Sequence, residues 1–275
     1  MLTLNSQLTG TTRIQAFIDD VDLTPSETIT VTPRSVSSLE IESQPSATAT
    51  AGEPFEDQPV IHLLDIFGNL VTTDNETEIT ASISQGEGTL SGTLTRTADN
   101  GVISFTNLSS EIANDIVLDF DSDELDSVTS NMITIEPNDP FDLVYLQQPR
   151  NTVTNNTIEP PVEVQLVDEF GNVVPQDGIE VNISEEDYWQ NNITLQVATN
   201  TNGVAIFDDL QIAPNADQGD VTFNATFDGI NAPKTSRVFS IIDGEDFARF
   251  EITDLAVTKS PIKKPENRSI FSLGR

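Results

Sequence analysis

The chain has 275 residues, of which 12 are Lys or Arg and 45 are Asp or Glu, so its formal net charge at pH 7 is −33. So acidic a surface repels nucleic acid and anionic lipid, which argues against nucleic-acid binding, and it favours cations and solubility. The absence of Cys excludes disulfides, thiolate metal sites and Cys nucleophiles, and the single His, His62, excludes a His-rich metal cluster. No apolar run approaches the roughly 20 residues that span a bilayer, so we predict no membrane insertion in this segment.

In chain order, residues 1–34 are predicted to be the C-terminal strands of a partial repeat. The segment 13–33 aligns with the segment 115–137, and Phe17 then falls on Phe120. The first residues lack the basic and apolar regions of a signal peptide. The segment therefore indicates that a longer repeating unit is only partly present here.

Two longer phrases then occur twice. "IHLLDIFGNLVTTDNETEI" (61–79) is followed by the similar "VQLVDEFGNVVPQDGIEV" (164–181), with the shared Asp-x-Phe-Gly-Asn residues 103 positions apart. "DNGVISFTNL" (99–108) matches "TNGVAIFDDL" (201–210) at an offset of 102. Matches that recur in the same order at nearly one offset predict an internal repeat.

This period predicts complete immunoglobulin-like repeats over 35–138 and 139–243. Alternating apolar runs of strand length, separated by Asn-Gly turns, predict an all-β chain, and no segment sustains a 3.6-residue apolar period. About a hundred residues with roughly seven short strands is the size of an immunoglobulin-like β-sandwich. Residues 244–275 are predicted to be the first strand of a further repeat followed by a disordered basic tail.

The repeated Asp-x-Phe-Gly-Asn phrase, here termed the corner motif, predicts a sandwich corner. The Phe is expected to fill the core while the chain turns, Gly and Asn tolerate positive φ, and the Asp side chain is expected to accept hydrogen bonds from backbone N–H groups. An alternative interpretation makes Asp65 and Asp168 cation ligands. The predicted structural turn residues are Asp65, Phe67, Gly68, Asn69, Asp168, Phe170, Gly171 and Asn172.

These phrases, with "GTLSGTLTRTADNGVISFTNLS", resemble the bacterial Ig-like repeats of invasin- and intimin-type surface adhesins, and they are also similar to filamin-type repeats. The resemblance covers about residues 36–243. It implies tandem immunoglobulin-like β-sandwiches that serve as rods or spacers, in an extracellular or cell-surface setting, and it brings no catalytic residues.

Calcium is the one cofactor that the sequence suggests. "DFDSDELD" (119–126) crowds carboxylates at the spacing that opens a calcium loop, but the Gly and Glu that an EF-hand requires are missing. A hairpin tip with solvated charges is the alternative. The short segments between repeats are also acidic. The candidate calcium ligands are Asp119, Asp121, Asp123, Asp126, Glu136, Asp139 and Asp142.

Tyr188 and Trp189 form the candidate ligand-binding pair. They lie in "SEEDYWQNN" (184–192), where an exposed aromatic pair is expected to stack on a sugar ring, or else to pack over the edge of its own sandwich.

We predict a non-catalytic structural or adhesive segment of a large bacterial surface or secreted protein. No nucleophile elbow, phosphate-binding glycine loop or zinc signature is present. The expected partners are neighbouring repeats of the same array, with a glycan or a surface protein as a possible ligand. The alternative is a carbohydrate- or protein-binding accessory module of a larger extracellular enzyme.

Overall fold

A computed structural model describes residues 6–15, 17–19, 21–22, 27–184, 195–230 and 232–242 of the chain. All regular elements within these ranges are β-strands, which confirms the predicted all-β class. In the first segment the strands are β1 (Gly10–Thr12), β2 (Phe17–Ile18), β3 (Val21–Asp22) and β4 (Ile29–Val31). Strand β1 pairs with β4, and β2 pairs with β3.

The segment 35–138 folds around a core of its own. Its strands are β5 (Val36–Ser43), β6 (Thr48–Thr50), β7 (Val60–Asp65), β8 (Glu78–Gln85), β9 (Leu90–Ser91), β10 (Thr95–Thr97), β11 (Val102–Ser104), β12 (Ser109–Ser110), β13 (Asp115–Asp121), β14 (Val128–Thr129) and β15 (Ile133–Glu136). One sheet has the order β11-β7-β5, and the facing sheet has the order β10-β8-β13-β15-β6, with β14 also paired to β13.

Alternation builds this core. In β13 the side chains of Ile116, Leu118 and Phe120 are fully buried, and the residues between them point away from the core. The rings of Phe105 and Phe120 lie 5.5 Å apart between the two sheets. The period of two that the sequence displays is therefore the period of burial.

The segment 139–243 repeats the arrangement. Its strands are β16 (Asp142–Gln147), β17 (Thr152–Val153), β18 (Val162–Val167), β19 (Glu180–Ser184), β20 (Gln196–Ala198), β21 (Val204–Phe207), β22 (Gly219–Val221), β23 (Asn224–Phe227), β24 (Lys234–Thr235) and β25 (Phe239–Ile242). The sheets have the orders β16-β18-β21, β17-β25-β22 and β20-β19-β23-β24. A second buried cluster, with Phe207 and Phe223 among its fully buried side chains, lies between them.

The register of the first segment follows that of the first full repeat. Thr11 pairs with Thr30, and Thr12 pairs with Ile29. In β13 and β15, 104 positions further on, Asp115 pairs with Thr134 in the same antiparallel register. The described part of residues 1–34 therefore has the strand pairing of the end of a repeat.

Candidate functional site

Each corner motif is a tight turn organised by a buried carboxylate. Asp168 is only 2% exposed, and its Oδ1 accepts hydrogen bonds from the backbone N–H groups of Phe170 at 2.9 Å and Asn172 at 2.8 Å. The side-chain amide of Asn172 donates to Asp168 Oδ2 at 2.8 Å. Gly171, at φ 86°, allows the chain to reverse.

The first corner motif has the same geometry. Asp65, also 2% exposed, accepts from the N–H groups of Phe67 at 2.9 Å and Asn69 at 3.0 Å, and from the Asn69 side chain at 3.0 Å. Gly68 has φ 80°. The Asp-x-Phe-Gly-Asn phrase therefore forms the same turn at both places.

The Asp of each motif also holds the segment that enters its repeat. The backbone N–H of Asn138 donates to Asp168 Oδ2 at 3.0 Å, and that of Arg34 donates to Asp65 Oδ2 at 3.0 Å. Each carboxylate therefore connects a corner to the linker from the preceding repeat.

Asn172 extends the connection to the preceding repeat itself. Its side-chain amide donates to the carbonyl of Glu111 at 2.8 Å, and its Oδ1 accepts from the N–H of Ala113 at 2.9 Å. Nearby, the side chain of Asn138 donates to the carbonyl of Ala51 at 3.2 Å. Paired donor and acceptor contacts on one side chain restrict orientation as well as distance.

Asn69 makes the matching contacts with the first segment of the chain. It donates to the carbonyl of Gln7 at 2.8 Å, and its Oδ1 accepts from the N–H of Thr9 at 3.2 Å. The partners are again two positions apart, and they lie 104 positions before Glu111 and Ala113. The corner motif, its linker and the loop that it contacts thus form a joint that occurs twice.

The position of the Phe differs from the expectation. Phe67 is 39% exposed, and the Arg34 guanidinium lies 5.1 Å from the centre of its ring. Phe170 is half-buried and packs against the core of the preceding repeat, directly against Gly52. The prediction that the Phe fills the core of its own sandwich is therefore wrong, because the turn directs both rings out of that core. Phe67 is left partly exposed, and Phe170 reaches the neighbouring repeat.

The hydrogen bonds around Asp65 set its charge state. Burial alone acts to raise its pKa, but the N–H of Arg34, the Asn69 side chain and the N–H groups of Asn69 and Phe67 outweigh burial and hold the pKa well below its ordinary value of 3.8. A group with a depressed folded-state pKa contributes stability above its unfolded pKa, and this contribution is lost as pH falls towards the folded value.

We therefore expect an Asp65→Asn variant to be less stable than the wild type at pH 7, with a difference that shrinks as pH falls below 3.8. Urea unfolding of both proteins between pH 7 and pH 2 measures this difference. The other carboxylates are common to both proteins, so their effect on stability cancels in the difference. A difference that stays constant down to pH 2 would contradict the interpretation.

The candidate calcium residues lie in two places, around the hairpin of β13 and β14 and around the linker between β15 and β16. The described part of the chain contains no group of three or more His, Asp or Glu side chains placed to hold a metal ion. Residues 122–127 form the hairpin tip between β13 and β14, and Asp142 instead pairs with Lys234 at 2.7 Å. The N–H of Asp139 is bonded to the side chain of Asn138 at 2.7 Å. Calcium binding at either place stays a prediction.

An open acidic groove of about 820 Å³ lies beside this hairpin tip. Arg34 contributes the one basic side chain among its lining residues. The carboxylates that line it are Asp74, Glu76, Glu78, Asp121, Asp123 and Glu124. The pKa of Asp74 is lowered, because hydrogen bonds from Thr77 and Glu76 outweigh the opposing effect of burial. Six carboxylates and one guanidinium therefore line the groove.

The aromatic pair Tyr188 and Trp189 lies outside the described residues. Its role in binding a ligand stays a prediction. His62, on β7, is partly buried, and its Nδ1 lies 3.7 Å from Glu42.

Sequence reasoning missed the receiving half of the joint. The corner motif contacts backbone atoms of Glu111 and Ala113, and the ring of Phe170 lies against Gly52, which has no side chain. No pattern of residue types in the sequence therefore marks these positions. Asn138 lies between the acidic residues of its linker, and its residue type alone does not distinguish it from an ordinary turn residue. The one indication of these contacts in the sequence is that Gln7 and Glu111 are 104 positions apart, close to the offset between the repeats.

Residues 139–241 match the family model described as SMCHD1 Ig-like domain 6. This match confirms the predicted immunoglobulin-like fold and the resemblance to immunoglobulin-like repeats. No curated protein matches the chain.

The solved structures that the chain is similar to include an adhesin, an intimin fragment and a glycosidase. The Escherichia coli adhesin FdeC is 13% identical, with 85% of this chain and 74% of that chain covered and a TM-score of 0.42. An intimin fragment in complex with the Tir intimin-binding domain is 11% identical, with coverages of 75% and 62% and a TM-score of 0.27. A Bacteroides vulgatus β-glycosidase is 11% identical, with coverages of 75% and 25% and a TM-score of 0.31.

Within the described ranges, no helix has the length and apolar character needed to cross a membrane.

Proposed function

We propose that this chain is a non-catalytic rod or spacer segment of a large bacterial surface or secreted protein, in which corner motifs fix neighbouring repeats of one array. The observation that carries the proposal is the pairing of Asn172 with the backbone of Glu111 and Ala113. The contacts of Asn138 and Phe170 with the preceding repeat add to it. A spacer that projects a distant domain needs joints with a fixed orientation, and this arrangement supplies one.

The recurrence of the joint supports a repeating array. Asn69 and Asn172 contact equivalent positions in the units before them, so a unit of this design can follow another without a new kind of contact. In such arrays stability is the sum of the stability of each repeat and of nearest-neighbour contacts. The surface or secreted location is proposed from the resemblance to bacterial adhesin repeats.

The test is the distance between the two full repeats. Because the chain has no natural Cys, Ser104→Cys and Glu180→Cys place one spin label on an exposed strand residue of each repeat. Pulsed electron paramagnetic resonance should give a narrow distance distribution for this labelled protein.

Asn172→Ala in the labelled background should broaden that distribution, because both backbone contacts with the preceding repeat are lost. The matched control is Asn75→Ala, since the side chain of Asn75 bonds only within the first repeat. A distribution that is already broad in the parent protein would overturn the proposed rod.

A further inference from the structure

The loop around Gly52 in the first full repeat and the loop around Asn155 in the second can be compared residue by residue. The N–H of Gly52 donates to the carbonyl of Ser110 at 2.8 Å, and the N–H of Asn155 donates to that of Ile212 at 3.0 Å. The residues that follow also match, since Phe55 bonds to Leu108 as Ile158 bonds to Leu210. Gly52 and Asn155 therefore occupy the same place in their repeats.

Both positions have a left-handed backbone, with φ 81° at Gly52 and φ 65° at Asn155. Gly adopts this region freely, and Asn is among the residues that tolerate it best. The chain therefore uses both residue types for one backbone conformation. The difference between them is the side chain alone.

A side chain at this position matters because the ring of Phe170 lies against Gly52. A Cβ at this position would overlap with the ring of Phe170, which comes from the corner motif of the following repeat. The ring is half-buried there and packs against the core of the first repeat. Gly52 is thus the seat of an aromatic residue, and any side chain at Gly52 displaces the ring.

We infer that the residue at the Gly52 position determines which corner motif can dock on a repeat. Glycine admits the aromatic ring of Phe170, whereas Asn155, exposed at the same place in the second repeat, excludes an aromatic corner. The partner that fits the far end of the second repeat is an immunoglobulin-like repeat with a small residue in place of the Phe. The two ends therefore select different neighbours.

This inference rests on the proposed joint, so the test uses the same spin-labelled full chain. Gly52→Asn reproduces the residue that the second repeat already carries at this φ, so the first repeat should fold. We expect the variant to lose the narrow distance peak. Thermal unfolding monitors the first repeat, and Gly52→Asp, with a side chain of the same size, replaces the variant if Gly52→Asn unfolds.

The complementary change is Phe170→Ala. Added to Gly52→Asn, it should restore the narrow peak, because a small residue then faces the new side chain while Asn172 keeps its backbone contacts. Phe170→Ala alone should keep the peak, for the same reason.

The outcomes distinguish a failure of the proposed rod from a failure of the role inferred for Gly52. A broad distribution in the labelled parent overturns the proposed rod. A narrow parent distribution that Gly52→Asn leaves unchanged overturns the role of Gly52, and a double variant that stays broad overturns the preference for a small residue.

Discussion

Replacing Asp168 with alanine is expected to lower the free energy of unfolding of the second repeat by about 3 kcal/mol, because the change leaves partly buried N–H donors without the carboxylate that accepts from them. The donors are the N–H groups of Phe170, Asn172 and Asn138. For a domain of this size the corresponding fall in melting temperature is roughly 10–20 °C. Differential scanning calorimetry of the full chain measures it.

Glu169→Ala is the matched control. Glu169 is the exposed neighbour of Asp168 in the same corner motif, so its removal deletes a carboxylate without disturbing the turn. We expect a change within about 0.5 kcal/mol, as for most exposed substitutions. Equal effects from the two variants would mean that local charge, and not the hydrogen bonds of Asp168, stabilises the corner.

Phe120→Ala is expected to destabilise the first repeat by about 3–5 kcal/mol, the usual cost of deleting a fully buried aromatic ring. Phe120 has no exposed surface and lies beside Phe105 between the two sheets. Because the second repeat has a separate buried cluster, its unfolding transition should stay in place. Two transitions should then separate in the calorimetric trace.

Met132→Ala serves as the control for this change. Met132 is a large apolar residue of the same repeat, but its side chain is exposed, so little apolar surface is lost from the core. If Phe120→Ala shifts both transitions equally, the two cores unfold as one cooperative unit.

The fold could be predicted because repetition and alternation are both visible in a single sequence. The corner motifs at Asp65 and Asp168 stood out as paired phrases, and the buried residues of β13 alternate as their apolar pattern predicts. The match over 139–241 agrees with this prediction. Local geometry is encoded locally, so a local pattern is enough to predict it.

The joint could be predicted only in part. The local sequence is the same whether the ring of Phe170 points out of its sandwich or into it. The direction of the ring depends on whether another repeat presents a seat for it. That seat is Gly52, which lies 118 positions earlier in the chain. Glu111 and Ala113 take part through backbone atoms, which every residue type carries. Contacts of this kind leave no mark on residue type.

The parallel strand pairs at the ends of each repeat have a mechanical consequence. Strand β6, near the start of the first repeat, runs parallel to β15 at its end, and β17 is related to β25 in the same way. When tension is applied to the two ends of a repeat, these neighbours are drawn in opposite directions along their length. Their hydrogen bonds are then loaded together in shear, instead of opening one after another from an end. If the chain serves as the proposed spacer, these terminal strand pairs are the part of each repeat that opposes stretching.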